Sequence, residues 1–198
     1  VPLPIPKSRA EIARIQSERK RIAFERALTA PFHRKRLAGI DPAKLDDPAA
    51  WRKIPILHKE ELRALSETQF YTEFNIAPRH AIWEYWRSGG STGKPLFYPR
   101  SFADAPYCLL SCARGIRCAG LAKGDTAHIS YPLGIHPVGH MYARVCQAAG
   151  VGVNWAGSGA GTPSAVQIQL IRDLKPTVWM GMSSYGIHLA NVAEAAGI

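Results

Sequence analysis

Eight consecutive residues of the 198-residue chain carry its most recognisable chemistry: Ser88-Gly89-Gly90-Ser91-Thr92-Gly93-Lys94-Pro95. The glycines permit positive φ angles and a close approach of an anion to backbone N–H groups. The hydroxyl groups add short donors, and Lys94 supplies a positive charge. This combination favours a polyphosphate ligand. A hairpin loop without any ligand stays the alternative, because Gly and Ser are common in such loops.

Two familiar nucleotide motifs do not fit this loop. A Walker A loop requires Gly at position 88 and Ser or Thr at position 95, where Ser88 and Pro95 stand. No GxGxxG pattern opens a helix here, so a Rossmann dinucleotide site is unsupported. The loop therefore predicts phosphate binding of another kind.

A regular alternation of strands and helices follows the loop. The hydrophobic pattern predicts helices at 106–119, 139–149, 163–174 and from Ser184, and strands at 126–131, 151–155 and 177–180. Three successive strand-then-helix units predict right-handed crossovers and a parallel sheet. Before the sheet, the pattern predicts a helix from the Ser8–Glu11 capping box to about residue 29, a short helix at 59–66, and strands at 82–87 and 96–98 on either side of the loop.

The fold class is therefore α/β, with an N-terminal helical and hairpin segment followed by a mostly parallel β-α-β sheet. Charged side chains are concentrated before residue 100, where 30 of the 40 occur. We expect two parts, residues 1–100 with the loop and residues 101–198 with the sheet, in one incomplete large domain. With 46% hydrophobic residues, the composition is that of a globular chain and excludes disorder.

Composition also limits where the protein works. No stretch resembles a transmembrane helix or a secretory signal. Four cysteines without a CxxC pair indicate buried thiols in a reducing cytoplasm.

Residues 1–39 carry ten basic and three acidic side chains, a local charge of +7. This segment could belong to a polyanion-binding or nucleic-acid-binding module, or it could be a solvated helix docked on the stripe of Ile12, Ile15 and Ile22. We favour docking, because no repeated alternation of aromatic and basic residues accompanies the segment.

The loop and its surroundings are similar to a known family. Residues 88–95 resemble the Ser/Thr/Gly-rich, Lys-Pro-ended phosphate loop of adenylate-forming enzymes, in a setting that resembles the phenylacetate–CoA ligase branch. The further segments that agree in order and spacing are 31–42, 54–63, 150–159, 173–178 and 183–185. The departures are Gly89, where Ser or Thr is usual, and Ser91, where Thr is common. The resemblance covers nearly the whole chain and corresponds to the N-terminal portion of such enzymes.

This resemblance implies an acid–CoA ligase that uses ATP, Mg²⁺ and coenzyme A. An aromatic carboxylate would attack the α-phosphorus of ATP, pyrophosphate would leave, and the CoA thiol would then attack the acyl-adenylate. The residues implied in ATP phosphate binding are Ser88, Gly89, Gly90, Ser91, Thr92, Gly93 and Lys94. No catalytic residue and no metal ligand is assigned, since the first step needs positioning and charge stabilisation more than a general base.

The acid should bind where the parallel strands end. Two loops lie there, and the resemblance assigns substrate binding to Tyr131, His136, His140, Tyr142, Ser183, Ser184 and Tyr185. His136 adds a donor and an acceptor, which predicts a polar-substituted aryl acid. His136 and His140 could also form a metal pair at i, i+4, but no third ligand accompanies them.

The chain ends before any fourth strand of the predicted sheet. We therefore expect these 198 residues to be inactive alone, and the exposed sheet edge to favour a homodimer. No nucleic-acid or membrane partner is expected. An amine or a carrier-protein thiol stays open as the acceptor in place of CoA.

Overall fold

The computed structural model describes residues 5–87 and 95–198. The predicted phosphate loop, Ser88 to Lys94, lies outside these residues. Two compact units divide the described chain: the first contains residues 5–82 with 95–96, and the second contains residues 83–87 with 97–198. The boundary at residue 100, expected from the charge distribution, stays a prediction.

The first unit begins with α1, Arg9–Ala27. The Ser8 hydroxyl accepts the N–H of Glu11 at 3.1 Å, as the capping box predicts. The Glu11 carboxylate accepts the N–H of Lys7 at 2.7 Å, one residue before the expected partner. Phe24 is buried but Ile12 is 42% exposed, so the apolar stripe expected to dock is incomplete at its first position.

Short helical turns make up the rest of the first unit. They are α2 (Pro31–Arg36), a 3₁₀ turn (Pro42–Lys44), α3 (Pro48–Trp51), α4 (Lys59–Arg63), α5 (Glu67–Gln69), a π turn (Phe70–Phe74) and a 3₁₀ turn (Arg79–Ala81). Pro31, Pro42 and Pro48 each open a turn, where a missing N–H costs nothing. The helix predicted at 59–66 stops at Arg63, since Ser66 already caps α5 by accepting the Gln69 N–H.

Two short strands lie at the start of the second unit, apart from Ile82, which belongs to the first. β1 (Ile82–Arg87) and β2 (Phe97–Ser101) form a two-stranded sheet on either side of residues 88–94. The alternating elements follow: α6 (Ala105–Cys118), β3 (Thr126–Ile129), α7 (Val138–Ala148), β4 (Gly152–Asn154), α8 (Ser164–Leu174), β5 (Val178–Met180) and α9 (Ser183–Ala195). The order of elements predicted after the loop is confirmed.

β3 is the central strand of a parallel sheet in the order β4-β3-β5. Ala127 pairs with Val153 of β4 and with Val178 of β5. A central strand is covered on both faces, so Ala127 and Ile129 are fully buried, where they pack with α6 and α7 residues. The α/β fold with a parallel sheet is therefore confirmed. β3 and β4 are shorter than their predicted ranges.

The cysteines correct one prediction. Cys146 is buried in the sheet core and Cys108 and Cys112 are half-buried, but Cys118 is exposed at the end of α6. A helix covers the core with one side only, so the last position of α6 can face solvent. Among residues 5–87 and 95–198, no helix combines the length and apolar character needed to cross a bilayer.

Candidate functional site

The candidate site lies at the carboxyl ends of the three parallel strands. The chain leaves β3 at Ser130, β4 at Trp155 and β5 at Gly181. Because the strands are parallel, these three exits lie at the same edge of the sheet. Crevices at such edges are the usual ligand sites of open α/β sheets. The two loops predicted to bind the acid both begin here.

Two of the predicted residues form an aromatic stack. The rings of Tyr131, just after β3, and Tyr142, on α7, lie 5.5 Å apart between centroids at an interplanar angle of 11°. Burial raises the pKa of Tyr142, with smaller contributions from the neighbouring Cys112 and Tyr131. The raised pKa keeps the Tyr142 hydroxyl uncharged at neutral pH, where it lies beside the stacked rings.

The two histidines of the same loop have different surroundings. His136 is exposed. His140, in the first turn of α7, places Nε2 at 2.6 Å from the Leu133 carbonyl and at 3.1 Å from the Gly134 carbonyl. Carbonyls only accept, so His140 Nε2 carries the proton and holds the loop against the helix. Within the described residues, no group of three or more His, Cys, Asp or Glu side chains converges on a metal position.

The residues predicted after β5 open α9. Ser183 and Ser184 are exposed in its first turn. Tyr185 is half-buried, with its hydroxyl at 3.2 Å from the Ser164 Oγ of α8. A Cβ at Gly159, in the turn after β4, would lie only 2.8 Å from the Tyr185 hydroxyl, so a larger residue there would displace the ring. Tyr185 therefore links the ends of β4 and β5.

A buried polar cluster behind this edge was missed by sequence reasoning. His128 and Ser130 belong to the central strand and its exit, and Gln167 belongs to α8; all three are at most 3% exposed. Burial lowers the pKa of His128, an effect that its hydrogen bond to Gln167 partly offsets. The sequence pattern assigned no functional role to His128 or Gln167. The only available signal was two polar residues, at 128 and 130, on one face of an apolar strand.

The strands that flank residues 88–94 are held within the second unit by charged and aromatic contacts. Glu84 of β1 accepts a hydrogen bond from Arg144 of α7 at 2.8 Å. The Arg144 guanidinium also lies over the ring of Trp83, 4.8 Å from its centroid. In β2, Arg100 covers the ring of Trp86 at 4.6 Å. These contacts connect the strands leading to the predicted phosphate loop with the helix that carries Tyr142.

Three curated relatives match almost the whole chain. The chain is 32% identical to the phenylacetate–coenzyme A ligase of Pseudomonas putida over 186 aligned residues. This alignment covers 92% of the chain and 41% of that protein. The chain is 30% identical to the enzyme of the same name from Aromatoleum evansii (98% and 44%) and 26% identical to that from Escherichia coli strain K12 (93% and 41%). No protein-family model matches the chain.

Solved structures share the fold. A crystal structure of 2-hydroxyisobutyryl-CoA ligase in an open conformation, with 2-HIB-AMP and CoA, superposes with a TM-score of 0.83 at 23% identity. The superposition covers 99% of this chain and 49% of the chain of that ligase. The same ligase in the thioesterification state gives a TM-score of 0.84 at 24% identity, over 97% of this chain and 41% of that one.

The chain therefore has the fold shared by these CoA ligase structures. Its sequence is similar to that of the phenylacetate–CoA ligases, as residues 88–95 and the segments around them predicted, because three proteins of that name match it over 92–98% of its length. The chain spans about two-fifths of the length of these relatives.

Proposed function

We propose that this chain is part of an ATP-dependent, AMP-forming ligase that converts an aromatic carboxylic acid to its CoA thioester. The stack of Tyr131 and Tyr142 at the carboxyl edge of the central strand is the observation that carries the aromatic assignment. A planar aromatic acid could pack against such a surface with its ring offset or edge-on, the favoured geometries of aromatic pairs. The names of the curated relatives support the same class of acid.

The chemistry proposed for these residues is mainly positioning. The acid carboxylate attacks the α-phosphorus of ATP, the bond to the pyrophosphate oxygen breaks, and pyrophosphate leaves. The amides of residues 88–94 and Lys94 would offset charge on the phosphates, although they lie outside the described residues. Mg²⁺ would enter with the triphosphate, since this ion is usually held by substrate phosphates and one or two carboxylates.

The selectivity for carboxylic acids proposed for the carboxyl edge of the sheet can be measured directly. We expect the complete protein to release pyrophosphate with phenylacetate and hydroxyphenylacetate, and much less with 2-hydroxyisobutyrate. Tyr142→Leu should raise the KM for aryl acids about ten-fold, because it removes half of the stack, whereas Tyr142→Phe should stay near wild type. Phe102→Leu, at an exposed position, is the matched control. Equal KM values for Tyr142→Leu and wild type would remove the aromatic assignment.

The exposed His136 bears on which aryl acid is preferred. Its ring can donate to or accept from a substituent, so hydroxylated acids should be favoured over phenylacetate. We expect His136→Phe to abolish this preference while phenylacetate turnover persists. An unchanged ranking of substituted and unsubstituted acids would show that His136 does not read the substituent.

The acceptor and the phosphate loop need separate measurements. Thioester formation with CoA, compared with amine or carrier-protein acceptors, identifies the nucleophile of the second step.

Lys94→Ala should slow pyrophosphate release strongly without lowering the thermal stability of the protein. A normal rate in this variant would exclude the loop from the mechanism. Sedimentation of the complete protein tests the proposed homodimer.

A polyanion-binding module using the basic N-terminal helix is the competing function. Part of its charge is already engaged: Arg21 pairs with Asp46 at 3.0 Å and Lys20 lies over the ring of Trp51. A duplex-DNA binder would lose affinity steeply with salt, with a log–log slope of about −0.9 per neutralised phosphate. We expect no such binding at physiological salt.

A further inference from the structure

The side chain of Gln167 uses every hydrogen-bonding position that it has. Its Nε2 donates to the Gly157 carbonyl at 3.0 Å and to the Thr162 carbonyl at 3.1 Å. Its Oε1 accepts from the Ser130 hydroxyl at 2.8 Å and lies 3.2 Å from Nε2 of His128. A primary amide has two N–H donors and two oxygen lone pairs, so this residue is saturated inside the protein.

These partners allow one arrangement of protons. The Gly157 and Thr162 carbonyls can only accept, so the amide nitrogen of Gln167 must face them and its oxygen must face His128. His128 Nε2 therefore carries the proton. Nδ1 of the same ring then accepts from the Asn154 amide at 2.8 Å. The neutral imidazole with the proton on Nε2 satisfies the cluster, in agreement with the lowered pKa of His128.

The partners of Gln167 come from β3 and its exit, from the turn after β4 and from the residues before α8. Ser130 follows β3 and also accepts from Trp179 Nε1 of β5 at 2.9 Å. Gly157 opens the turn after β4, and its N–H donates to the Ile129 carbonyl at 2.7 Å. The Gln167 amide thus links the exits of β3 and β4 directly, and Ser130 extends the link to β5.

The residues next to these exits are those of the candidate acid site. Tyr131 directly follows Ser130, and the turn from Gly157 contains Gly159, against which the Tyr185 hydroxyl packs. On β5, Trp179 leaves no room for a Cβ at Gly181, since that atom would lie 2.3 Å from its ring. A displacement of the Gln167 amide would therefore reach both loops.

We propose that Gln167 is a positioning residue of the acid site, acting through Ser130, His128 and the 157–162 turn. This role rests on the proposed function, because it concerns the geometry in which the acid is held. Gln167 does not touch the reacting atoms; it sets the distance between the aromatic stack and the first turn of α9.

The variant Gln167→Glu tests this role with almost no change of shape. A carboxylate oxygen in place of the amide nitrogen faces two carbonyls and loses both donated hydrogen bonds. In the complete protein we expect the KM for the preferred acid to rise about ten-fold or more, and the KM for ATP to stay within two-fold. A residue that only stabilises the fold would reduce the active fraction, and with it the apparent kcat, and leave both KM values unchanged. Gln169→Glu, on the exposed side of the same helix, is the matched control.

Ser130→Ala provides a second, milder test. It removes one hydroxyl from the cluster and should raise the acid KM about three- to ten-fold in a folded enzyme. It also carries the test if Gln167→Glu fails to fold. His128→Gln, whose amide can still donate to Gln167, should recover most of the wild-type acid KM relative to His128→Phe.

The proton arrangement is measured without activity. In ¹⁵N-histidine NMR spectra, the His128 signal, identified by its absence in His128→Gln, should show the tautomer protonated at Nε2. A ring protonated at Nδ1, or folded Gln167→Glu and Ser130→Ala enzymes with the wild-type acid KM, would overturn the positioning role alone. A wild-type protein that releases no pyrophosphate with any acid would instead overturn the proposed function, and the positioning role with it.

Discussion

The two compact units of this chain are stabilised in different ways. The first consists of one long helix and short turns held by caps and surface ion pairs, such as Arg21 with Asp46. The second is built on a parallel sheet whose central strand is fully buried and carries hydrogen-bonded polar groups in its interior. Surface pairs contribute little free energy, whereas buried polar clusters define one geometry and are costly to disturb. The precise site geometry should therefore depend on the second unit.

The largest effect is expected at the centre of the sheet. Ile129→Ala removes buried methyl groups from β3 and should lower the free energy of unfolding of the second unit by about 2–5 kcal/mol. Hydrogen exchange, followed peptide by peptide, should show faster exchange in β3, β4 and β5. Ile187→Ala, at a position 67% exposed on α9, is the control and should change little. A similar loss in both variants would contradict the assigned core.

The next effect concerns the packing behind the site. At Gly181 a Cβ would lie 2.3 Å from the Trp179 ring, so Gly181→Ala must displace the indole. We expect a loss of about 1–3 kcal/mol, typical of overpacking. Gly134→Ala has open space around its Cβ and serves as the matched control. Urea unfolding of both variants measures the difference, and equal stabilities would show that the ring can move at no cost.

The pH dependence of the second unit should follow His128. Burial depresses the pKa of this ring in the folded state, so the unfolded chain binds the proton more readily. Its contribution to stability is therefore fully present above about pH 6.5 and is lost as the pH falls below that value. His33, in the first unit, has its pKa lowered by burial and by Arg36, and contributes with the same sign.

Two substitutions separate these contributions. In urea unfolding between pH 7.5 and 5.5, His128→Gln should weaken the pH dependence of the unfolding free energy that probes of the sheet report. His33→Gln should do so only for probes of the first unit. If the pH dependence of unfolding reported by probes of the sheet is the same in His128→Gln as in the wild type, the ring of His128 is not a buried neutral imidazole.

The smallest effect is expected at the surface of the first unit. Asp46 accepts hydrogen bonds from Ser17 at 2.6 Å and Arg21 at 3.0 Å, and the bond from Ser17 is the main cause of its lowered pKa. This stabilisation is present at neutral pH and is lost as the pH falls through the folded-state pKa of Asp46. Asp46→Asn should therefore lower the stability of α1 only slightly, and less so at high salt. A loss as large as that of Ile129→Ala would erase the contrast between the units.

Much of the second unit could be predicted from its sequence because it is locally consistent. Apolar strands alternate with amphipathic helices, and glycines such as Gly150 end the helices, so the order of elements and the parallel pairing followed. Strand ends were less accurate: Tyr131, placed in β3, lies beyond it. The first unit was harder, because turns of three to six residues have no usable periodicity. Ile12 matched the helical stripe and is nevertheless exposed.

The sequence by itself predicted the class of chemistry and determined where the loops after the parallel strands begin, because a glycine-rich loop and the ends of strands are local features that neighbouring residues specify. The phosphate role of residues 88–94 stays a prediction. Only the tertiary structure decided that Tyr131 stacks on Tyr142, that His140 is bonded to its own loop, and that Gln167 joins the exit of β3 to the turn after β4. Gln167 lies 37 positions from Ser130 and 39 from His128 in the chain. Contacts of that separation depend on how α8 packs on the sheet, which no local pattern encodes.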